Sequence, residues 1–170
     1  MAVEPTGVYG TGLKLIRDLI AASDSFQAWC GIDPEDADAA TQAAAFIFWE
    51  TVAQGDATRP FVVIEIGESS WEKTGGGGSN VYMPGGSATL QFEADFATDD
   101  EDVELGIPDA TVTFVNSLDA IIADMMNGAA VNGAIDLSGL SRGKPMRSDP
   151  QEGSHDGNFL ACTASVSWGR

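Results

Sequence analysis

A glycine-rich interruption between two strand-like runs constrains this chain more than any other feature. Phe61-Val62-Val63-Ile64-Glu65-Ile66 precedes it and Ala88-Thr89-Leu90-Gln91-Phe92-Glu93-Ala94 follows it. Between them lie Trp71-Glu72-Lys73-Thr74, the glycines Gly75, Gly76, Gly77 and Gly78, and Pro84-Gly85-Gly86. Four glycines in a row have no side chains to pack and a large ordering cost, so the reading is an extended, flexible loop over residues 67–86. A loop of that length inside a compact domain usually has a function of its own. Ordering by a partner is the expected one, with Trp71, Lys73, Gly75, Gly76, Gly77, Gly78, Tyr82 and Met83 as the candidate inter-subunit loop and Trp71 as an aromatic anchor.

The 170 residues fit a single domain spanning 1–170, large enough to bury roughly 70% of its unfolded surface without disulfides. Cys30 and Cys162 each sit in an apolar setting and read as reduced, core-filling thiols. The first residues lack the basic start and apolar stretch of a signal peptide, and no apolar run approaches the ~20 residues that span a bilayer, so neither export nor a membrane partner is expected. Twenty-six acidic residues against eight basic ones give a net charge of −18, which opposes binding to phosphate or anionic lipid. Two readings of that charge stay open: a solubilising surface, or the wall of a conduit through which DNA slides without sticking.

Leu13, Ile16, Leu19 and Ile20 recur at helical spacing and predict a helix over Tyr9–Ser23, with a helical turn carrying Phe26 and Trp29 up to Gly31. Asp33-Pro34-Glu35-Asp36 reads as a helix start leading into an alanine-rich helix. The aromatic and β-branched residues from 46 to 52 predict a strand, as does the apolar run 61–66, expected to be buried on both faces. Residues 87–97 alternate, with Ala88, Leu90 and Phe92 on one face and Gln91, Glu93 and Asp95 on a half-exposed one. Pro108-Asp109 opens a second long helix that Asn127-Gly128 is expected to close. A short strand near 135–140, a basic loop and a last strand over 159–168 complete an α+β fold, a mostly antiparallel sheet against two main helices.

No constellation of catalytic residues emerges, and the chain is not expected to be an enzyme. The glycine run precedes a strand and lacks the Gly-Lys-Ser/Thr ending of a phosphate loop, and Ser141-Arg142-Gly143-Lys144-Pro145 places proline where the magnesium-binding hydroxyl belongs. Asp99-Asp100-Glu101-Asp102 lacks the glycine and bidentate glutamate spacing of a calcium loop and reads as a solvated turn. His155 is the one histidine, and two isolated cysteines with one histidine exclude a structural zinc site. No cofactor and no metal are expected.

Leu13-Lys14-Leu15-Ile16-Arg17-Asp18-Leu19-Ile20-Ala21-Ala22-Ser23, then Phe26-Gln27-Ala28-Trp29 and Arg59-Pro60-Phe61-Val62-Val63-Ile64, together resemble the small neck proteins of tailed bacteriophages, most nearly the tail terminator, or tail-completion, proteins of long-tailed phages. The order helix, strands with a long loop, second helix and closing strand ending in Ser165-Val166-Ser167-Trp168 carries the similarity over most of the chain. The resemblance implies a homo-oligomer, a hexameric ring that caps the tail tube protein and offers a docking surface to a head-tail connector protein. It implies a virion component, assembled in the host cytoplasm, through which DNA passes without specific binding. On that reading Glu93, Asp95, Asp99, Asp100, Glu101 and Asp102 are the candidate acidic lumen and Arg142, Lys144 and Arg147 the candidate docking loop. The alternatives are another connector, such as a stopper or head-completion protein, a tail tube subunit, or, from a different class, a small acidic enzyme or ligand-binding domain.

Overall fold

A computed structural model describes residues 7–50, 58–74, 81–95, 103–132, 135, 137, 139–148 and 159–169. It is an α+β fold in which helices cover one face of a six-stranded, mostly antiparallel sheet.

Helix α1 spans Gly7–Ala21 and buries Leu13, Ile16 and Ile20. Ser23 ends it and caps α2, Asp24–Trp29: its hydroxyl accepts the Phe26 N–H at 3.1 Å, and the Gln27 amide donates to the Ala21 carbonyl at 2.8 Å. Gly31, at φ +76°, then turns the chain in a conformation that favours glycine. The helix expected from Asp33 is shorter than its start signal. The Asp33 carboxylate accepts the Glu35 N–H at 3.0 Å, and successive i to i+3 bonds hold 33–39 as turns, so α3 covers only Ala39–Ala43. Short acidic side chains compete here for the backbone donors a helix would use.

A 3-10 turn over Ala44–Phe46 leads into β1, Ile47–Trp49, which runs parallel to β2, Phe61–Thr74. The first residues of β2 are buried on both faces as expected: Val62 and Ile64 join the core under the helices, and Phe61 and Val63 are buried on the opposite side. β3, Val81–Asp95, pairs antiparallel with β2 from Val81 to Glu93, with one break in register at Ser87. The expected loop over 67–86 is therefore mostly strand. Ser69 through Thr74 pair with Gly86 through Val81 after a shift in register between Ile66 and Ser69, and only 75–80 lie outside the described residues.

The second long helix, α4, spans Val103–Asn132 and exceeds its expected limits at both ends. Pro108 falls early in the helix instead of opening it, and Gly128 is internal. A Cβ at Gly128 would meet Leu19 Cδ2 at 2.8 Å, so this glycine lets α1 and α4 approach and does not mark a helix end. Ile135 and Leu137 are buried but form no strand. β4, Ser141–Arg142, and β5, Met146–Ser148, replace the expected basic loop and pair in line along one edge of β6, Phe159–Trp168, whose other edge pairs with β3.

Leu90, Phe92, Leu160, Cys162, Ala164 and Val166 face the helices and meet Leu118, Ile121 and Met125 of α4. Trp29 stands between Phe92 and Phe114 at ring-centroid separations of 6.1 and 6.3 Å. At the other end of the sheet, the Tyr9 hydroxyl lies 3.0 Å from the carbonyls of both Gly67 and Ser87, and its ring packs on Trp168 at 5.4 Å. Gly12 and Gly86 leave the room that the Trp168 indole fills.

Candidate assembly surfaces

The first candidate is the outer part of the β2–β3 hairpin. β6 reaches β3 only as far as Gly86, and β1 reaches β2 only across 62–64, with Glu50 adding a backbone bond to Ile64 and a carboxylate that accepts the Ile66 N–H at 3.0 Å. Among the described residues, the five pairs from Ser70↔Gly85 to Thr74↔Val81 have no flanking strand. They form a two-stranded ribbon, roughly 17 Å long at ~3.3 Å per residue, neither of whose backbone edges pairs with another described strand. The expected inter-subunit residues Trp71, Lys73, Tyr82 and Met83 all fall on its backbone, though their side chains lie outside the described residues, as do Gly75, Gly76, Gly77 and Gly78. Tyr9 and the register shift at 66–69 fix the root of the ribbon, because one phenol caps carbonyls of both strands.

The second is the sheet face opposite the helices. Glu93 was expected on an exposed acidic wall, yet it is buried, with its Oε2 3.1 Å from Arg59 Nε and its Oε1 2.6 Å from the Gln91 amide. Arg59 also reaches Asp95 at 3.4 Å and lies over the Phe159 ring at 4.1 Å. Alternation along β3 places Glu93 on this face correctly, but the register that sets Phe61 and Ala161 beside it, and Arg59 across it, is long-range. Glu93 is thus half of an internal ion pair and cannot contribute free charge to a lumen. Asp95 is exposed, but it too faces the guanidinium. Asp99, Asp100, Glu101 and Asp102 lie outside the described residues.

The third is the β4–β5 edge. Arg142 makes a bidentate pair with Asp119 of α4 at 2.6 and 3.1 Å, which pins the edge to the helix layer and removes this arginine from the free docking charges expected of it. Between β4 and β5 the edge gains one residue relative to β6, and Gly143 N–H reaches the Thr163 carbonyl at 2.7 Å across the bulge. Lys144, Met146 and Arg147 are exposed along it.

Other reactive groups are engaged in structure. Burial pushes the Cys30 thiol up to about 12 and raises Cys162 as well, the latter against the opposing pull of Arg142. Both are free thiols. Burial raises Asp124, but the Ser25 N–H and the hydroxyls of Ser25 and Ser23 outweigh it and hold the carboxyl below its ordinary value. No group of metal-ligating side chains occurs among the described residues, and none of their helices is long and apolar enough to cross a membrane. His155 lies outside them. Reading the sequence missed Arg59, Tyr9 and Asp119, each of which acts on a partner more than twenty residues away and leaves no local pattern. No known family model matches the chain, and no curated protein matches its sequence.

Proposed function

We propose that this chain is a structural ring subunit of a tailed-phage neck, of the tail-terminator kind, that caps the tail tube and offers a surface to the head-tail connector. The observation that carries the reading is the unflanked ribbon of β2 and β3. A two-stranded ribbon is marginally stable on its own in water, and its two open edges are a template for pairing with another chain. A neighbouring subunit supplies what the sheet does not. The remaining described polar clusters, Arg59 with Glu93 and Arg142 with Asp119, hold elements of the fold together, which favours an assembly role over a catalytic one. Net charge of −18 suits a ring that DNA traverses without being held.

Self-association is the direct test. Light scattering across a concentration series, with and without purified tail tubes, is expected to give a closed ring of six copies, and added protein is expected to stop tube elongation at one end. A strict monomer under both conditions would sink the proposal. Incorporation along the tube instead of at its tip would move the chain to the tube-subunit alternative, and binding only to head particles would make it a stopper.

A further inference from the structure

We propose that the free chain pairs with a second copy of itself through the outer edge of β2 in the ribbon, Ser69 to Lys73, the two strands running antiparallel about a two-fold axis. The contact goes beyond the ring reading: it joins two copies before a ring is built, and because it uses the same edge twice it stops at two.

The backbone decides which edge of the ribbon can accept a strand. The Glu50 N–H donates to the Ile64 carbonyl and the Ile66 N–H donates to the Glu50 carboxylate, so Ile64 and Ile66 turn their backbone groups away from β3. In an antiparallel ladder both members of such a pair turn outward. Their partners Leu90 and Ala88 therefore face β6, with which they pair, and alternation along β3 carries the same orientation through Gly86 to Pro84 and Tyr82. Beyond the register shift these last three stand opposite Ser69, Trp71 and Lys73, which accordingly present their backbone groups along the outer edge of β2. Trp168 of β6 covers Gly86, and Pro84 has no N–H, so from Val81 to Gly86 the β3 edge keeps a single free donor, that of Tyr82. The β2 edge keeps the donors and acceptors of Ser69, Trp71 and Lys73.

The other described edges are poorer acceptors. β1 is three residues long, and Pro145 with the extra residue between β4 and β5 blunts the far side of the sheet. The β2 edge, in contrast, matches itself. Antiparallel pairing with Trp71 opposite its counterpart sets Ser69 opposite Lys73 on either side, and each of these rungs exchanges two backbone hydrogen bonds, about six in all. The same register places Glu72 and Lys73 opposite Ser70 and Ser69 of the other copy, so two chains of net charge −18 meet here with no like charges opposed.

Lys73 and Tyr82 form one rung of the ribbon, with their N–H groups on opposite edges, and proline at either position removes one outward donor while sparing the bonds between β2 and β3. Full-length Lys73→Pro, Lys73→Ala and Tyr82→Pro are compared with wild type by sedimentation over a concentration series, with circular dichroism to confirm the fold. Lys73→Pro is expected to dimerise about tenfold or more weakly, because the two-fold axis removes one N–H from each copy at once. Lys73→Ala, which keeps the N–H, and Tyr82→Pro are expected to dimerise like wild type. In a fourth variant, Trp71→Cys, a short bifunctional maleimide is expected to give a covalent dimer, since residue 71 meets itself across the axis. Equal weakening by Tyr82→Pro or by Lys73→Ala, or absence of the covalent dimer, overturns the two-fold pairing and leaves the ring reading standing. A wild-type protein that stays monomeric at every concentration, with and without tail tubes, overturns both.

Discussion

Gly128 of α4 faces Leu19 of α1 so closely that a Cβ there would come within 2.8 Å of the leucine Cδ2. The two longest helices touch through a missing side chain. Replacing Gly128 with Ala removes about 1 kcal/mol of helix penalty while displacing only the tip of a flexible leucine, so near-neutral stability is expected. Gly128→Val adds bulk that Leu19 cannot yield to, and a loss of about 2 kcal/mol is expected in urea unfolding. Equal stability of the valine variant and wild type would show that the helices are not in close contact.

The Arg59–Glu93 pair is expected to matter more than an ordinary surface ion pair, because both side chains are mostly buried, at 17% and 11% exposure. Arg59→Ala leaves the glutamate without its cation and should cost about 3 kcal/mol. Arg59→Lys should recover little of it, since a planar guanidinium both forks onto the carboxylates and lies on Phe159. A double-mutant cycle with Glu93→Gln checks the coupling; additive losses would mean the two residues act independently.

Asp124 gives a pH signature. Its carboxyl is held below its ordinary value by the Ser23 and Ser25 donors acting against burial. A depressed folded value contributes stability that is present above the unfolded value, near ~3.9, and is lost as pH falls through the folded one. Asp124→Asn is therefore expected to be destabilised relative to wild type near neutrality, with the gap closing in acid. Chemical unfolding at a series of pH values measures that gap, and a constant difference would refute the assignment.

Thiol chemistry should report burial. With Cys30 pushed up to about 12 and Cys162 raised, little thiolate exists at pH 8 and neither sulfur should react in the native protein. Both should label on unfolding. Rapid native labelling would place at least one of them at the surface.

Removing the ribbon separates stability from assembly. A tight turn joining Ser69 to Gly86 keeps the Tyr9 bonds to Gly67 and Ser87 and deletes only the part that no other described strand flanks. The melting temperature is expected to stay within a few degrees while self-association is lost. A melting temperature lowered as far as by a core truncation would show that the ribbon packs on its own domain.

Local pattern carried the helices and strand faces well. Leu13, Ile16 and Ile20 announced α1 by spacing, and alternation sorted β3 into Leu90 and Phe92 inward and Gln91 and Glu93 outward. It failed where the deciding contact is distant. The glycines around 67–86 read as a break because β-propensity is local, whereas pairing of two long strands across a turn overrides it. Gly128 read as a helix end because nothing nearby in sequence announces that Leu19 occupies its missing side chain. Of the candidate site, the ribbon and the basic edge were visible as composition. The neutralisation of Glu93 and Arg142 was not, since each partner comes from another element.

β6 lies between β3 and the β4–β5 edge, so the middle of the sheet is made by the last of the described strands to be synthesised. Until residues 159–168 emerge from the ribosome, one edge of β3 has no partner, β4 and β5 have nothing to pair with, and the floor beneath α4 is missing. Completion of the domain is thereby postponed until that strand has been made, and the half-made chain exposes an apolar β3 in the interval. Such a nascent chain is a natural client for holding chaperones, and fusions or truncations that delay those ten residues are expected to aggregate before they can assemble.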